Sequence, residues 1–146
     1  MDHWALQNIS ENEIQLRKTQ RQIPSEDEVL IEVHFAPINP SDVMAMKGMY
    51  ASFTSYEFPV AHGNEGSGIV VSSGGIKGKH LVGKKVAFTR VLSNGAFQQF
   101  TVARVDSCFD LQDDVSMEQA SMHYVNPMTA ICLTDIIINS KCKAAI

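Results

Sequence analysis

The sequence of 146 residues predicts a mainly β domain that gives way to helices near residue 110. The first observation is the run Glu28–Phe35, rich in β-branched and aromatic residues and the strongest strand signal in the chain. The second is a glycine-rich region, 63–68, that leads into another apolar run. The third is the change after residue 110, where the spacing of apolar residues becomes helical. A chain of this length can bury a core of its own.

Strands are predicted wherever β-branched residues or a period of two dominate. In Glu13–Gln20 apolar and polar side chains alternate, which indicates a half-exposed strand. In Glu28–Phe35 we expect Val29, Ile31, Val33 and Phe35 to share one face. Further strands are expected at 69–71, 85–90 and 96–103.

Helices are predicted at three places. The first is a short helix over 42–47, with Ser41 as N-cap and Gly48 closing its end. A second short helix is expected over 114–122, and a longer one over 127–138 that opens on Pro127. The last residues, 143–146, have the pattern of a new strand.

Composition narrows the class of protein. The net charge is -4 and no dense basic block occurs, which argues against nucleic-acid and anionic-membrane partners. No apolar run reaches the ~20 residues of a membrane helix, and the first ten residues have no signal-peptide core. The odd set of cysteines lacks CxxC spacing, which favours reduced thiols and a cytoplasmic location, with the mitochondrion as the alternative: Cys108, Cys132, Cys142.

Two nucleotide-site look-alikes and a metal site are rejected on spacing. The glycines of 63–68 are not in GxGxxG order and lead into a strand, whereas a phosphate-binding turn opens a helix. Gly78-Lys79 is followed by His80 where a P-loop needs Ser or Thr. No histidine has the spacing of a zinc site, so no metal ligand is predicted.

Several short motifs follow one another at characteristic spacing. They are INPSD at 38–42, GMY at 48–50, GNEGSG at 63–68 and VNPMTA at 125–130. In this order they resemble the catalytic domain of the medium-chain dehydrogenase/reductase superfamily. The resemblance covers about residues 28–146 and implies a GroES-like, partly open β-barrel with short helices. It further implies that 126–146 is the linking helix and first strand of a Rossmann domain.

The resemblance is to the zinc-free branch of that superfamily. Zinc members carry Cys at the position of Asn39 and His at the position of Asn64, and a carboxamide supplies neither thiolate nor imidazole. Only a short turn, 92–95, stands where they have a four-cysteine structural zinc lobe. The zinc-free branch contains quinone oxidoreductases and enoyl thioester reductases.

The resemblance assigns roles to four residues. Tyr50 matches the tyrosine of a Gly-x-Tyr motif, the proton donor or enolate stabiliser of the enoyl reductases. Asn39 matches the Asn of an Asn-Pro-x-Asp motif near the nicotinamide of NADPH. Asn126 and Thr129 match an Asn-Pro-x-Thr-Ala motif that also approaches the cofactor.

Each assignment has a structural alternative. Tyr50 could be an aromatic lid, because its loop holds other aromatic residues. Asn39 could be a turn residue before proline, and Asn126 the residue before a helix. Asp42 is interpreted as a charge at a helix N-terminus, and Glu65 as a satisfied buried or rim carboxylate.

The expected organisation is a GroES-like catalytic domain over 1–125 and the start of a nucleotide-binding domain over 126–146. The expected function is the N-terminal portion of a zinc-independent NAD(P)H-dependent oxidoreductase that reduces a quinone or an enoyl thioester. The 146 residues hold no glycine-rich cofactor turn, so we expect them to be inactive alone. The alternative is a non-enzymatic structural or interaction module, with a homodimer or assembly partner covering helix 127–138.

Overall fold

The computed structural model describes residues 1–11, 13–49, 57–89 and 95–140. Two 3₁₀ segments, Ile76–Leu81 and Val105–Ser107, connect strands in these ranges. The strands and α-helices found there are β1 (Asp2–Ser10), β2 (Glu13–Gln20), β3 (Glu28–Phe35), α1 (Pro40–Met46), β4 (Val60–Ala61), β5 (Glu65–Ser73), β6 (Lys85–Thr89), β7 (Phe100–Arg104), β8 (Cys108–Asp110), α2 (Met117–Ala120) and α3 (Val125–Asn139).

The strands form two antiparallel sheets. One has five strands in the order β7-β3-β5-β6-β8, and the other has three in the order β2-β1-β4. Backbone bonds join the sheets, because Leu6 N–H donates to the Phe97 carbonyl at 2.8 Å and Gln99 N–H donates to the Trp4 carbonyl at 2.9 Å. Two open sheets with short helices confirm the predicted mainly β, partly open barrel.

The glycine-rich region serves strand packing. β5 begins at Glu65, four residues before the predicted strand 69–71, so most of this region forms the first half of the strand itself. A Cβ on Gly68 would lie 2.0 Å from the Glu32 carbonyl oxygen, and a Cβ on Gly66 would lie 2.8 Å from the Phe88 ring. Only glycine therefore lets β5 approach β3 and the core this closely.

The core lies on the five-stranded sheet and is formed by Val29, Ile31, Val70, Leu81, Val86, Phe88, Ala96 and Ala103. Of the four residues predicted to share one face of β3, Val29 and Ile31 are fully buried, Val33 is half-buried and Phe35 is 40% exposed. Register shifts between Leu30 and Ile31 and between Val33 and Phe35 break the period of two, and Leu30 is buried as well.

Several predicted boundaries also change. Asn39, not Ser41, is the N-cap of α1, while Gly48 follows that helix with a φ of 66° as expected. α3 begins at Val125, so Pro127 is not its first residue. The predicted strand 96–103 is regular only from Phe100, because the preceding residues bond to β1 instead. The predicted helix 114–122 shortens to α2.

β1 has no counterpart among the predicted strands. Its inward side chains include His3, Ala5 and Gln7, which are small or polar and give no apolar alternation. Pairing with β2 and β4 nevertheless makes it the middle strand of its sheet. The predicted strand 143–146 lies outside the described residues, as does Cys142, while Cys108 and Cys132 are free thiols.

Within the part of the chain that the structure describes, no helix combines the length and apolarity needed to cross a membrane.

Candidate cofactor-binding wall

Three of the four predicted site residues lie in the described part of the chain. Asn39 immediately precedes α1 and is 4% exposed. Asn126 and Thr129 lie in the first turns of α3 and are exposed. Tyr50 lies outside the described residues.

Glu65 connects Asn39 to α3. It is the first residue of β5 and is 0% exposed. Its Oε1 accepts a hydrogen bond from Asn39 Nδ2 at 3.1 Å. Its Oε2 accepts from the backbone N–H groups of Tyr124 at 2.8 Å and Val125 at 3.0 Å. One buried carboxylate thus fixes an asparagine side chain and the start of a helix 59 residues further along the chain.

The same bonds bring Asn39 and Asn126 together. Asn126 Nδ2 donates to Asn39 Oδ1 at 3.3 Å, a long and therefore weak hydrogen bond. Two residues 87 positions apart in sequence are thereby neighbours. We call the group formed by the buried Asn39, the exposed Asn126 and the adjoining Thr129 the amide wall. The assignment of these residues to the cofactor stays a prediction.

Thr129 contributes less than its two neighbours. Its hydroxyl donates to the Val125 carbonyl at 2.6 Å, one turn earlier in α3. Among the described residues it makes no hydrogen bond to Asn39 or Asn126. What Thr129 can still offer a ligand is a lone pair of Oγ1.

Asp42 holds the backbone on the other side of Asn39. Its Oδ2 accepts from Asn39 N–H at 2.8 Å, and its Oδ1 accepts from Asn64 N–H at 3.0 Å. Burial raises the pKa of Asp42, and the two N–H bonds oppose that rise. Asp42 is in the first turn of α1 as predicted, but it also ties α1 to the segment before β5.

Asn64 is committed to this same framework. Its side-chain Nδ2 donates to Ser41 Oγ at 3.2 Å, and its carbonyl accepts a long bond of 3.4 Å from Thr89 Oγ1. In the described ranges, no group of three or more His, Cys, Asp and Glu side chains could hold a metal ion.

His123 lies just before α3 and was not singled out by the sequence. Its ring packs edge-on against Phe109, with ring centroids 5.1 Å apart. Both ring nitrogens are buried, and no described residue bonds to them. Burial lowers the pKa of His123, against the opposing effect of the Glu65 charge.

Glu65 is the main residue of this site that sequence reasoning undervalued. The interpretation as a satisfied buried carboxylate is confirmed, but its link to α3 was not foreseen. A signal was available, because Glu65 stands in a glycine-rich region next to a predicted strand, and a carboxylate that is buried there needs several hydrogen-bond donors. Nothing local could have named the donors as the amides of Tyr124 and Val125.

Comparison with known proteins shows the family to which this chain belongs. Residues 25–113 match the family described as the alcohol dehydrogenase GroES-like domain. A mitochondrial enoyl-[acyl-carrier-protein] reductase of Caenorhabditis elegans is 33% identical over 118 residues, 81% of this chain and 33% of that protein. A chloroplastic quinone-oxidoreductase homolog of Spinacia oleracea is 28% identical over 108 residues, 73% of this chain and 33% of that protein.

A solved structure gives the same result. A putative NADPH:quinone reductase from Mesorhizobium loti superimposes with a TM-score of 0.83 at 31% identity, covering 95% of this chain and 45% of that one. The chain spans about a third of the length of the curated relatives it matches. The resemblance to the medium-chain dehydrogenase/reductase superfamily is thus confirmed, and the chain belongs to the alcohol dehydrogenase GroES-like domain family.

Proposed function

We propose that this chain is the N-terminal domain of a zinc-independent, NAD(P)H-dependent oxidoreductase that reduces a conjugated carbonyl, a quinone or an enoyl thioester. The observation that carries the proposal is the amide wall, where Glu65 holds Asn39 beside the start of α3. Relatives named enoyl reductase and NADPH:quinone reductase support a reduction as the reaction. We propose that 1–125 form the catalytic domain and that 126–146 open the nucleotide-binding domain.

The amide wall fits the nicotinamide end of a dinucleotide. Asn39, Asn126 and Thr129 are uncharged, and the charged groups bonded behind them, Asp42 and Glu65, are acids. Such a surface suits hydroxyl and carboxamide groups and does not suit phosphates, which favour Arg, Lys or helix N-termini. The cofactor would supply the hydride, while these residues would orient the ring that carries it.

Zinc independence is supported by how the two asparagines are used. Asn39 Nδ2 donates to Glu65 and Asn64 Nδ2 donates to Ser41, so both amides are engaged in hydrogen bonds within the protein. Neither side chain carries the thiolate or imidazole that a zinc ion prefers. The proton donor that replaces a metal in this proposal is the phenol of Tyr50, which would stabilise the enolate and protonate its carbon. A zinc analysis of the purified protein tests this half, and stoichiometric zinc would contradict it.

The activity test compares two forms of the protein. A longer natural product that contains these 146 residues is expected to oxidise NADPH, followed at 340 nm, with a quinone or a trans-2-enoyl thioester. The 146 residues alone are expected to give no turnover, because in this proposal they form one wall of the cofactor cleft. Turnover by the chain alone, or none by the longer product with either substrate class, would overturn the proposal.

A cytoplasmic or mitochondrial location accompanies this proposal. Four enoyl reductase relatives are named as mitochondrial, which supports the second choice. Imaging of the natural protein with an organelle marker decides between the two.

A non-enzymatic interaction module is the second candidate, favoured by one feature of α3. This helix has no buried residue, and Ile131, Ile136 and Ile138 on it are exposed. Such a surface suits a homodimer or an assembly partner. Sedimentation equilibrium together with NADPH titration separates the candidates, since a fixed assembly without NADPH affinity would favour the module.

A further inference from the structure

The amide wall has a defined direction of hydrogen bonding, and Glu65 sets it. An ionised carboxylate only accepts hydrogen bonds. Its Oε2 already accepts from two backbone N–H groups, which can only donate, and its Oε1 faces Asn39. Asn39 must therefore present Nδ2, and not Oδ1, to Glu65.

That choice passes outward from one amide to the next. With Nδ2 committed to Glu65, Asn39 presents Oδ1 to Asn126, which donates its own Nδ2. Asn126 is exposed, and no described residue donates to its Oδ1. Every amide donates inward, so the group left for a ligand at the outer end is an oxygen.

Thr129 adds a third oxygen of the same character. Its hydroxyl proton is used by the Val125 carbonyl at 2.6 Å, so Oγ1 can only accept from a ligand in this rotamer. The acceptors exposed along this part of α3 are thus Asn126 Oδ1 and Thr129 Oγ1, while Asn39 Oδ1 lies buried behind them. Two buried carboxylates, Asp42 and Glu65, lie behind them and disfavour an approaching anion.

We propose that Glu65 is a positioning residue that orients Asn39 and Asn126 so that the amide wall binds hydrogen-bond donors, a carboxamide NH₂ or a sugar hydroxyl, and rejects carboxylates and phosphates. The carboxamide as the natural ligand group rests on the proposed function. The direction of the hydrogen bonds does not, because it follows from Glu65 alone.

The direction can be measured on the 146-residue chain without any ligand. In a ¹⁵N,¹³C-labelled sample, scalar coupling across hydrogen bonds is expected between Asn39 Nδ2 and Glu65 Cδ and between Asn126 Nδ2 and Asn39 Cγ. No coupling is expected from Asn39 Nδ2 to Asn126 Cγ. In Glu65→Gln the new amide can donate to Asn39 Oδ1 while its oxygen keeps the two backbone bonds, so the coupling is expected to run from Gln Nε2 to Asn39 Cγ. Glu32→Gln, on the neighbouring strand β3, is the matched control and should show the same couplings as the wild type.

The ligand class is tested with nicotinamide and nicotinate, which differ in a carboxamide against a carboxylate. Titration followed by the side-chain signals of Asn39 and Asn126 is expected to detect nicotinamide binding to the wild type and to the control. Glu65→Gln should weaken that binding by roughly tenfold, because Asn126 would then present its Nδ2, a donor, to the donating NH₂ of nicotinamide. Nicotinate should bind more weakly than nicotinamide to the wild type.

The outcomes separate the two proposals. A coupling from Asn39 Nδ2 to Asn126 Cγ in the wild type overturns the role of Glu65. Nicotinate binding at least as tightly as nicotinamide, or binding of neither probe, overturns the ligand class. If the couplings and the probe preference hold while the longer product fails to oxidise NADPH, the proposed function alone is wrong. Should Glu65→Gln not fold, the wild-type couplings and the probe pair decide by themselves.

Discussion

The five-stranded sheet and α3 are both rich in large apolar residues, yet they use them in opposite ways. Val29, Ile31, Val86 and Phe88 in the sheet are 0–1% exposed. On α3, four large apolar side chains are 55–69% exposed: Ile131, Leu133, Ile136 and Ile138. Apolar composition therefore does not decide burial here; the geometry around each element does.

The sheet can bury its residues because its strands approach closely. Gly68 allows β5 to lie against the Glu32 carbonyl, and Gly66 makes room for the Phe88 ring. α3 is connected to the β domain through hydrogen bonds, from its first amides to Glu65 and from Asn126 to Asn39. One element is held by packing and the other by polar contacts at one end.

The largest expected effect comes from the packed element. Phe88→Ala removes a ring that is fully enclosed, and the resulting cavity should lower the free energy of unfolding by about 3–5 kcal/mol. Urea denaturation followed by circular dichroism measures it. A loss below ~1 kcal/mol would mean that the sheet core is looser than its packing indicates.

A second, somewhat smaller effect is expected at the polar framework. Asp42→Ala leaves the N–H groups of Asn39 and Asn64 without their carboxylate acceptor, and should destabilise the chain by about 2–4 kcal/mol. Asp113→Ala, in an exposed turn, is the matched control and should stay within ~0.5 kcal/mol. Equal losses for both variants would contradict the role of Asp42.

A third effect should depend on pH. Because burial lowers the pKa of His123 below its ordinary 6.5, the unfolded chain takes up a proton first as the pH falls. The contribution of neutral His123 to the free energy of unfolding is therefore complete above pH 6.5. It is lost as the pH falls from 6.5 to the lowered pKa of His123 in the folded chain. Thermal unfolding at a series of pH values should show this decline flattened in His123→Gln and unchanged in His80→Gln, whose imidazole is exposed. Identical pH profiles for the two variants would contradict it.

The smallest effect is expected on α3. Ile136→Ala removes a mostly exposed side chain and should change the free energy of unfolding of the chain by no more than ~0.5 kcal/mol. The same denaturation experiment measures it beside Phe88→Ala. A loss above ~1.5 kcal/mol would break the comparison, since it would show that Ile136 is packed in solution.

Local patterns predicted much of the fold. β3 and the middle of β5, residues 69–71, follow from their β-branched residues, and Gly48 correctly marks the end of α1. The start of β5 at Glu65 was not predicted, because glycines gave no strand signal. β1 could not be predicted in the same way, because its inward residues include His3 and Gln7 and it is a strand only through its partners.

The candidate site was predictable only in part, and for a similar reason. The resemblance assigned Asn39 and Asn126 to the cofactor separately, and their hydrogen bond to each other was not foreseen. The carboxylate that orders them was interpreted correctly as buried, but its donors are 59 and 60 residues away in sequence. Tyr50 stays a prediction, since it lies outside the described residues.

The link from Glu65 to the amides of Tyr124 and Val125 has a consequence for recombining this domain with others. A crossover placed at the predicted boundary, between residues 125 and 126, keeps that carboxylate and its two donors in one parent but separates Asn126 from Asn39. A crossover after Thr129 transfers the complete set. Chimeras of these relatives should therefore take the opening turns of α3 from the same parent as the β domain, while the rest of the helix can come from the other parent.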